Sequence, residues 1–345
     1  MDKYLRDLVF NEPLLSDEPT FFTARLRLAR NIKQYPFPHQ MSEKQAEQLT
    51  REVIDVSTSI TDEAPVIISM SDIDNVTRDV LIERHIISPE MAEYGFGKIL
   101  IWFPEMKLRI FVNEEDHFRI SICGGKEDLC NLWNVLNHVD DILSRCFDYA
   151  FDKEFGYLTC CPTNVGPALR VSSLFFLPAL KMTGKIKLVF DTISRIGCII
   201  RGFYGEGSRS IANVYQIATG PALGKQEIEL CQDFESVSRT IKKQELMSMN
   251  IIDHMAIKGK IVCFLNRIFE NNRGINSSNS IKGLSLLLFG RNLGIIHMNV
   301  VTLKTLFYRI LPASLQLEAG TEMDAMERDN LRLQILRNEL RSIYV

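Results

Sequence analysis

Five arginines stand in settings that a solvated arginine does not require. Arg25 and Arg27 lie two apart in Thr23-Ala24-Arg25-Leu26-Arg27-Leu28, so an extended strand aims both to one side. Arg119 closes Phe111-Val112-Asn113-Glu114-Glu115-Asp116-His117-Phe118-Arg119. Arg170 closes Cys161-Pro162-Thr163-Asn164-Val165-Gly166-Pro167-Ala168-Leu169-Arg170, and Arg201 opens Arg201-Gly202-Phe203-Tyr204-Gly205-Glu206-Gly207. A guanidinium fork makes paired bonds to phosphate oxygens and keeps its proton. Such a set can clamp a triphosphate and shield the charge of phosphoryl transfer. Each arginine alone fits an ordinary surface position. Together, flanked by Gly, Cys and Glu, they argue for a site.

Glu115 and Glu206 form the best pair of carboxylates. Facing one pocket, they could grip a planar guanidinium and fix the nitrogen to be phosphorylated. Alignment should matter more than deprotonation, because a guanidinium is a very weak acid. Glu114 and Asp116 read as solvated or close to Mg2+ rather than catalytic. Cys161 precedes a proline among arginines, where positive charge would stabilise a thiolate that favours a cationic substrate. Cys160 beside it is expected to point the other way, into the core. His85, in Glu83-Arg84-His85-Ile86-Ile87-Ser88-Pro89, either contacts a nucleoside or serves the structure.

Other nucleotide motifs fail. Gly220-Pro221-Ala222-Leu223-Gly224-Lys225 is one residue short of a phosphate-binding loop and continues with Gln226. Gly202, Gly205 and Gly207 lack dinucleotide-binding spacing. No H-R-D or D-F-G signature is present.

The chain has 345 residues, 46% apolar and 24% charged, with a formal net charge of −3. That is long enough for a large core and two domains, and the balance gives no support for nucleic-acid or membrane-surface binding. Asp2, Lys3, Arg6, Asp7, Glu12, Asp17 and Glu18 interrupt the start, so no export signal is expected. No charge-free run approaches the ~18–20 residues of a membrane span. Of the eight cysteines none forms a C-x-x-C pair, so neither a zinc site nor a disulfide framework is expected. Reduced thiols in a cytoplasmic protein, mostly buried, follow.

These residues need elements to position them. Residues 1–20 read as a helix-and-loop lead. A capped helix is predicted over Glu43 to Val53 behind Ser42, and a short helix over Asp79 to His85. Strands are predicted from Tyr94 to Ile122, with the charged stretch at 111–119 joining two of them. Leu129, Leu132, Trp133, Leu136, Val139, Leu143 and Phe147 mark a helix within Glu127 to Phe151. Tyr157 to Thr159 and Ile186 to Phe190 read as short strands. Ala168 to Leu180 begins mixed and becomes helical, Gly202 to Gly207 is a loop, and Glu227 to Glu245 is helical. Beyond about residue 245 the pattern is helical throughout: Ile251 to Phe269, Ser285 to Ile296, Val300 to Leu311 and Met323 to Leu340, with a polar loop from Asn271 to Ser280. The expected organisation is a catalytic unit over 1–245 and a helical domain over 246–345.

In this order the stretches Thr23–Asn31, Val112–Arg119, Tyr157–Gly166 and Arg201–Gly207 resemble the guanidino (phosphagen) kinase family. The chain is most similar to the branch that phosphorylates arginine side chains in proteins. The first Arg-x-Arg comes near the start and the helical region follows the catalytic one. Leu28-Ala29-Arg30-Asn31, Tyr204-Gly205-Glu206-Gly207-Ser208 and Glu83–Pro89 also match. Arg328-Asp329-Asn330-Leu331-Arg332-Leu333 resembles that branch's R-D-x-x-R-A motif for a phosphoarginine effector; Arg at i and i+4 shares one helix face.

The resemblance implies an α+β catalytic fold, an antiparallel sheet flanked by helices, followed by an all-α C-terminal domain. It implies Glu115, Glu206 and Cys161 at the guanidinium. For ATP it implies Thr23, Ala24, Arg25, Leu26, Arg27, His85, Arg119, Arg170, Val171, Ser172, Ser173, Leu174 and Arg201, with Gly202, Phe203, Tyr204, Gly205 and Glu206. The effector set is Arg328, Asp329 and Arg332. Mg2+ would accompany ATP without direct protein ligands. Implied partners are proteins with exposed arginines, a zinc-binding activator protein, a Clp-type unfoldase–protease in stress response, and a second copy in a homodimer. Three departures stand out: Gly166-Pro167-Ala168 where the family has Gly-Thr-Gly, Leu333 where it has Ala, and Ile217-Ala218-Thr219-Gly220-Pro221 where it tends to Ser-Asn. Pro167 lacks an N–H and Ala168 lacks glycine's freedom. Two alternatives remain open: a free-arginine phosphagen kinase with the same catalytic residues, and a weakly active phosphoarginine-binding adaptor.

Overall fold

The computed structural model describes residues 8, 15–125, 128–202, 212–270, 273–341 and 343. Its strands are β1 (Phe21–Arg30), β2 (Val66–Ser69), β3 (Ile99–Phe103), β4 (Leu108–Val112), β5 (Phe118–Gly124), β6 (Phe151–Asp152), β7 (Gly156–Tyr157), β8 (Leu169–Phe176), β9 (Cys198–Gly202) and β10 (Val214–Thr219). Eight of them form one sheet in the order β2-β3-β4-β5-β1-β8-β10-β9, with β6 and β7 as a separate ribbon. Every neighbouring pair is antiparallel.

The alternation of β1 explains its central place. Ala24, Leu26 and Leu28 are buried in the main core, whereas Arg25 and Arg27 take the opposite face. The core face is covered by helices Glu43–Ser57, Leu129–Cys146, Ile186–Arg195 and Glu227–Met249, through residues such as Leu49, Leu136, Ile193 and Phe234. On the other face, Leu100, Trp102 and Phe111 pack against Val80, Leu81 and Met91. Further along that face Phe22, Leu174, Phe176 and Val214 pack against the C-terminal helices. The arginines occupy the part of this face that neither cluster covers.

The C-terminal part contains helices His254–Glu270, Ser277–Asn292, Val300–Arg309, Pro312–Ala319 and Ala325–Leu340. Lys304 ties it to the sheet: Nζ donates to the carbonyls of Ser16 (2.7 Å), Glu18 (2.7 Å) and Phe21 (2.5 Å). Among the described residues no helix is long and apolar enough to cross a membrane.

Several local expectations change. Ile186 to Phe190 is helical, within Ile186–Arg195. Ile186, Val189, Phe190 and Ile193 recur at three and four residues and face the core, a period that a five-residue window hides. Thr159 lies outside β7, and its Oγ1 donates to the Cys161 carbonyl at 2.8 Å. The polar loop ends early, because Asn276 caps the helix that begins at Ser277, accepting from Asn279 N at 2.9 Å. Only Cys123 and Cys231 of the eight cysteines are buried, and all eight are free thiols.

Candidate active site

Strand register assembles the arginines. Arg27 pairs with Arg170 across β1 and β8, Ala29 pairs with Arg119 across β1 and β5, and Arg201 on β9 pairs with Gln216 on β10. A cavity of about 330 Å³ is lined by Arg25, Arg27, Arg119 and Arg201 with Thr23, His85, Ser88, Glu114, Ser172 and Ser173. A second, of about 480 Å³, is lined by Arg27, Arg119, Arg170 and Arg201 with Glu115, Cys161 and the 163–169 loop. Arg27, Arg119 and Arg201 thus belong to both walls.

Packing guanidiniums together has an electrostatic cost. Burial and the neighbouring Arg25, Arg119 and Arg170 draw Arg27 well below the ordinary arginine range, opposed by Glu114. Its Nε is buried without a hydrogen-bond partner. An anion bound here would relieve both the repulsion and the missing bond. Burial, with Arg25 and Arg27, pushes the His85 imidazole down to about 3, so it is neutral at pH 7. Its carbonyl accepts from Arg25 Nη2 at 2.6 Å.

The β4–β5 turn presents Glu115. Asn113 takes a left-handed conformation (φ 58), which Asn tolerates better than most residues. Its Nδ2 donates to the carbonyls of Gly97 (3.0 Å) and Ala46 (3.2 Å). Glu114 and Asp116 are both buried, which corrects the solvated reading of these two. Glu114 Oε1 accepts from Ser88 Oγ and from Arg119 Nη1 at 2.7 Å. Asp116 Oδ1 accepts from Asn31 Nδ2 (2.6 Å) and from the backbone N–H of Cys160 (2.7 Å), so it anchors the cysteine loop to the turn. His117 Nδ1 accepts from Ile32 N at 3.0 Å and Nε2 lies 2.8 Å from the Pro36 carbonyl. Burial keeps this imidazole below its usual range. Glu115 itself is half-buried; burial, then Asp116, raise its carboxyl above the usual range while Arg119, 3.5 Å away, opposes.

Cys161 Sγ lies 3.0 Å from Thr163 Oγ1 on the wall of the larger cavity. Cys160 does not enter the core: it is half-exposed, with Sγ 3.2 Å from His39 Nδ1. The strand alternation assumed for the pair fails because 160 and 161 lie in a bend leading to a short 3-10 helix.

Of the remaining expected nucleotide residues, Thr23, Ser172, Ser173 and Leu174 line the smaller cavity. Ala24, Leu26 and Val171 do not reach it; their side chains are in the core on the opposite sheet face, as the two-residue period demands. Gly202 closes β9. Phe203, Tyr204, Gly205 and Glu206 lie outside the described residues. Ser88, Ser121 and Gln216 also line the smaller cavity. Ser88 belongs to the Glu83–Pro89 stretch and caps the helix that begins at Pro89, whereas no motif marks Ser121 and Gln216, which only the register opposite Arg27 and Arg201 reveals. In the tail, Arg332 is 1% exposed and turned inward. Its Nε donates to the Ile310 carbonyl at 2.8 Å and Nη1 to the Ile275 carbonyl at 2.8 Å, and it pairs with Asp329. Arg328 Nη1 donates to the Met323 carbonyl. Among the described residues no three His, Cys, Asp or Glu side chains are placed to hold a metal.

Residues 45–248 match the ATP:guanido phosphotransferase C-terminal catalytic domain, and residues 266–344 match the protein-arginine kinase McsB C-terminal domain. The protein-arginine kinase of Halothermothrix orenii is 34% identical over 325 residues, covering 92% of both chains. That of Brevibacillus brevis is 33% identical, covering 95% of this chain and 93% of its own. Among solved structures, a duplicated taurocyamine kinase from Schistosoma mansoni aligns with a TM-score of 0.58 at 24% identity, over 67% of this chain and 34% of that one. A lombricine kinase aligns at 0.55 and 19% identity, over 70% and 75%; these two speak for the fold alone. The chain belongs to the ATP:guanido phosphotransferase family, on the protein-arginine kinase branch.

Proposed function

We propose that this chain transfers the terminal phosphoryl group of ATP to arginine side chains of proteins. The observation that carries this reading is the pair of cavities sharing Arg27, Arg119 and Arg201, with His85 in one and Glu115 and Cys161 in the other. The nucleoside takes the His85 side, the phosphates lie over the shared arginines, and the substrate guanidinium meets Glu115 and Cys161. Arg25, Arg27, Arg119, Arg170 and Arg201 neutralise the phosphates and hold them in line. Glu115, whose raised carboxyl sits closer to neutrality, orients the guanidinium and receives its proton. The substrate nitrogen forms the N–P bond as the bond from phosphorus to the ADP oxygen breaks. Glu206 is proposed as the second carboxylate. Mg2+, when bound, supplies charge neutralisation on the phosphates. Glu114 Oε2, buried beside the smaller cavity without a hydrogen-bond partner, suits its water shell.

The finer reading assigns catalysis to 1–245, and effector binding at Arg328, Asp329 and Arg332, with homodimer contacts, to 246–345. An effector reaches Arg332 only by displacing its bonds to Ile275 and Ile310. A cytoplasmic role in stress response, with a zinc-binding activator and a Clp-type unfoldase–protease, completes the proposal.

The test is incubation with Mg-ATP and either an unfolded protein or free arginine. Acid-labile phosphate on protein arginines is expected; label on free arginine alone selects the phosphagen reading. Glu115→Gln is expected to lower kcat by about 10²-fold or more with an unchanged melting temperature. Turnover at the wild-type rate in that variant removes Glu115 from the mechanism.

A further inference from the structure

The wall of the smaller cavity is held from a distance. Glu83, the last residue of helix Asn75–Glu83, lines that cavity with His85. Its carboxylate is engaged by the C-terminal region: Oε1 accepts from the N–H of Ala313 at 2.8 Å, and Oε2 accepts from the N–H of Ser314 at 3.0 Å and its hydroxyl at 3.3 Å. These donors belong to the first turn of helix Pro312–Ala319. Leu311 at its N-cap supplies no side-chain bond, and Pro312 has no N–H. The helix start therefore takes its cap from a carboxylate 230 residues away in sequence.

Two residues after Glu83 the chain turns sharply. His85 is left-handed (φ 56), a conformation that persists in a non-glycine residue only when its surroundings enforce it. His85 N donates to Ile82 O and Ile86 N donates to Leu81 O, each at 2.8 Å. The His85 ring meets Tyr308 edge-on at 6.4 Å. The turn aims the His85 carbonyl at Arg25. Arg25 is one of the like charges crowding Arg27, so without that acceptor it has reason to swing away. On the far side, Arg332 holds the Ile310 carbonyl, two residues before Pro312.

We infer that Glu83 is a positioning residue for the nucleotide: by gripping the start of helix Pro312–Ala319 it holds the His85 turn, and so Arg25, in the phosphate-binding arrangement. The inference rests on the proposed nucleotide reading of this cavity. Both oxygens of Glu83 are already engaged by protein donors, so the role needs no contact with the ligand. The C-terminal helices then set nucleotide affinity, and by linkage nucleotide steadies their attachment.

The experiment uses the full chain and ADP, with affinity measured by calorimetry. Glu83→Gln keeps the shape but sets an amide N–H against one of the helix donors. It is expected to weaken ADP about tenfold, the effect of one misaligned charged hydrogen bond, and to raise KM for ATP with little change in kcat or in KM for the protein substrate. Ser314→Ala removes only the hydroxyl and is expected to weaken ADP about threefold. The double variant is expected to be no weaker than Glu83→Gln, since both act on one grip. Unchanged ADP affinity in a folded Glu83→Gln chain overturns the inference. If that variant does not fold, unchanged affinity in Ser314→Ala does so. A fall in kcat without a change in ADP affinity also overturns it. A wild-type chain that binds no ADP refutes the nucleotide reading itself.

Discussion

Arg30 ends the strand that carries Arg25 and Arg27 but is buried on its core face, and replacing it separates structure from chemistry. It alternates away from Arg25 and Arg27 and is 1% exposed on the core face of β1. Nε donates to both Asp140 oxygens at 3.2 and 3.0 Å, Nη2 donates to Oδ2 at 2.7 Å, and Nη1 donates to the carbonyls of Ala29 (3.0 Å) and Pro167 (3.1 Å). The guanidinium also stacks 3.5 Å over the Tyr157 ring. Asp140 is 6% exposed. Arg30→Met leaves that carboxylate charged, buried and without its cation, at a cost of about 3–5 kcal/mol. Asp140→Leu strands the guanidinium at a similar cost. Arg30→Met with Asp140→Leu removes both charges, leaving mainly two carbonyls short of a donor, about 1–3 kcal/mol each at most. The double variant is therefore expected to be about as stable as either single one, with a coupling of at least about 2 kcal/mol. Urea unfolding at pH 7, followed by far-ultraviolet circular dichroism, reads the three midpoints. Destabilisation of the single variants by less than about 1 kcal/mol, or a double equal to the sum of the singles, refutes the reasoning.

Two further perturbations follow from strain and burial. Ala168 is left-handed (φ 51) in the loop before Arg170. Ala168→Gly relieves about 1–2 kcal/mol of strain and returns about 0.4–1 kcal/mol to the unfolded chain, so melting is expected to rise by roughly 1–3 °C; a lower melting temperature rejects this. Burial pushes the Glu245 carboxyl up to about 7, against the N–H groups of Ala179 (2.7 Å) and Leu180 (2.9 Å) that favour its ionised form. The folded chain then holds the extra proton between its usual value of 4.5 and about 7. This contribution is fully present below about 4.5 and is lost as pH rises through about 7, by up to about 3 kcal/mol. Glu245→Gln should flatten that part of the stability–pH curve, and superimposable curves for wild type and variant would dismiss it.

Reading the sequence went furthest where chemistry and period coincide. Arg25 and Arg27 announce a shared strand face, and β1 has that face. The 111–119 stretch reads as two strands joined at a charged turn, as β4 and β5 are. It failed where a partner decides. Ala24, Leu26 and Val171 sit inside motif stretches, yet the pleat sends them to the core. Cys160 looks like a core thiol beside Cys161, but a bend ending in a 3-10 helix replaces the strand that would have turned it inward. Asp116 resembles a solvated acid until Asn31 and Cys160 N are brought against it.

By itself the sequence determined which residue types could bind phosphate and guanidinium, and the local periods that turn them to one side. Those are properties of neighbours along the chain, set by backbone geometry. The tertiary structure alone decided that Arg30 is a core ion pair, that Arg332 is turned inward, and that Glu83 caps a helix 230 residues away. A guanidinium or carboxylate commits to solvent, ligand or protein according to which distant groups share its low-dielectric surroundings.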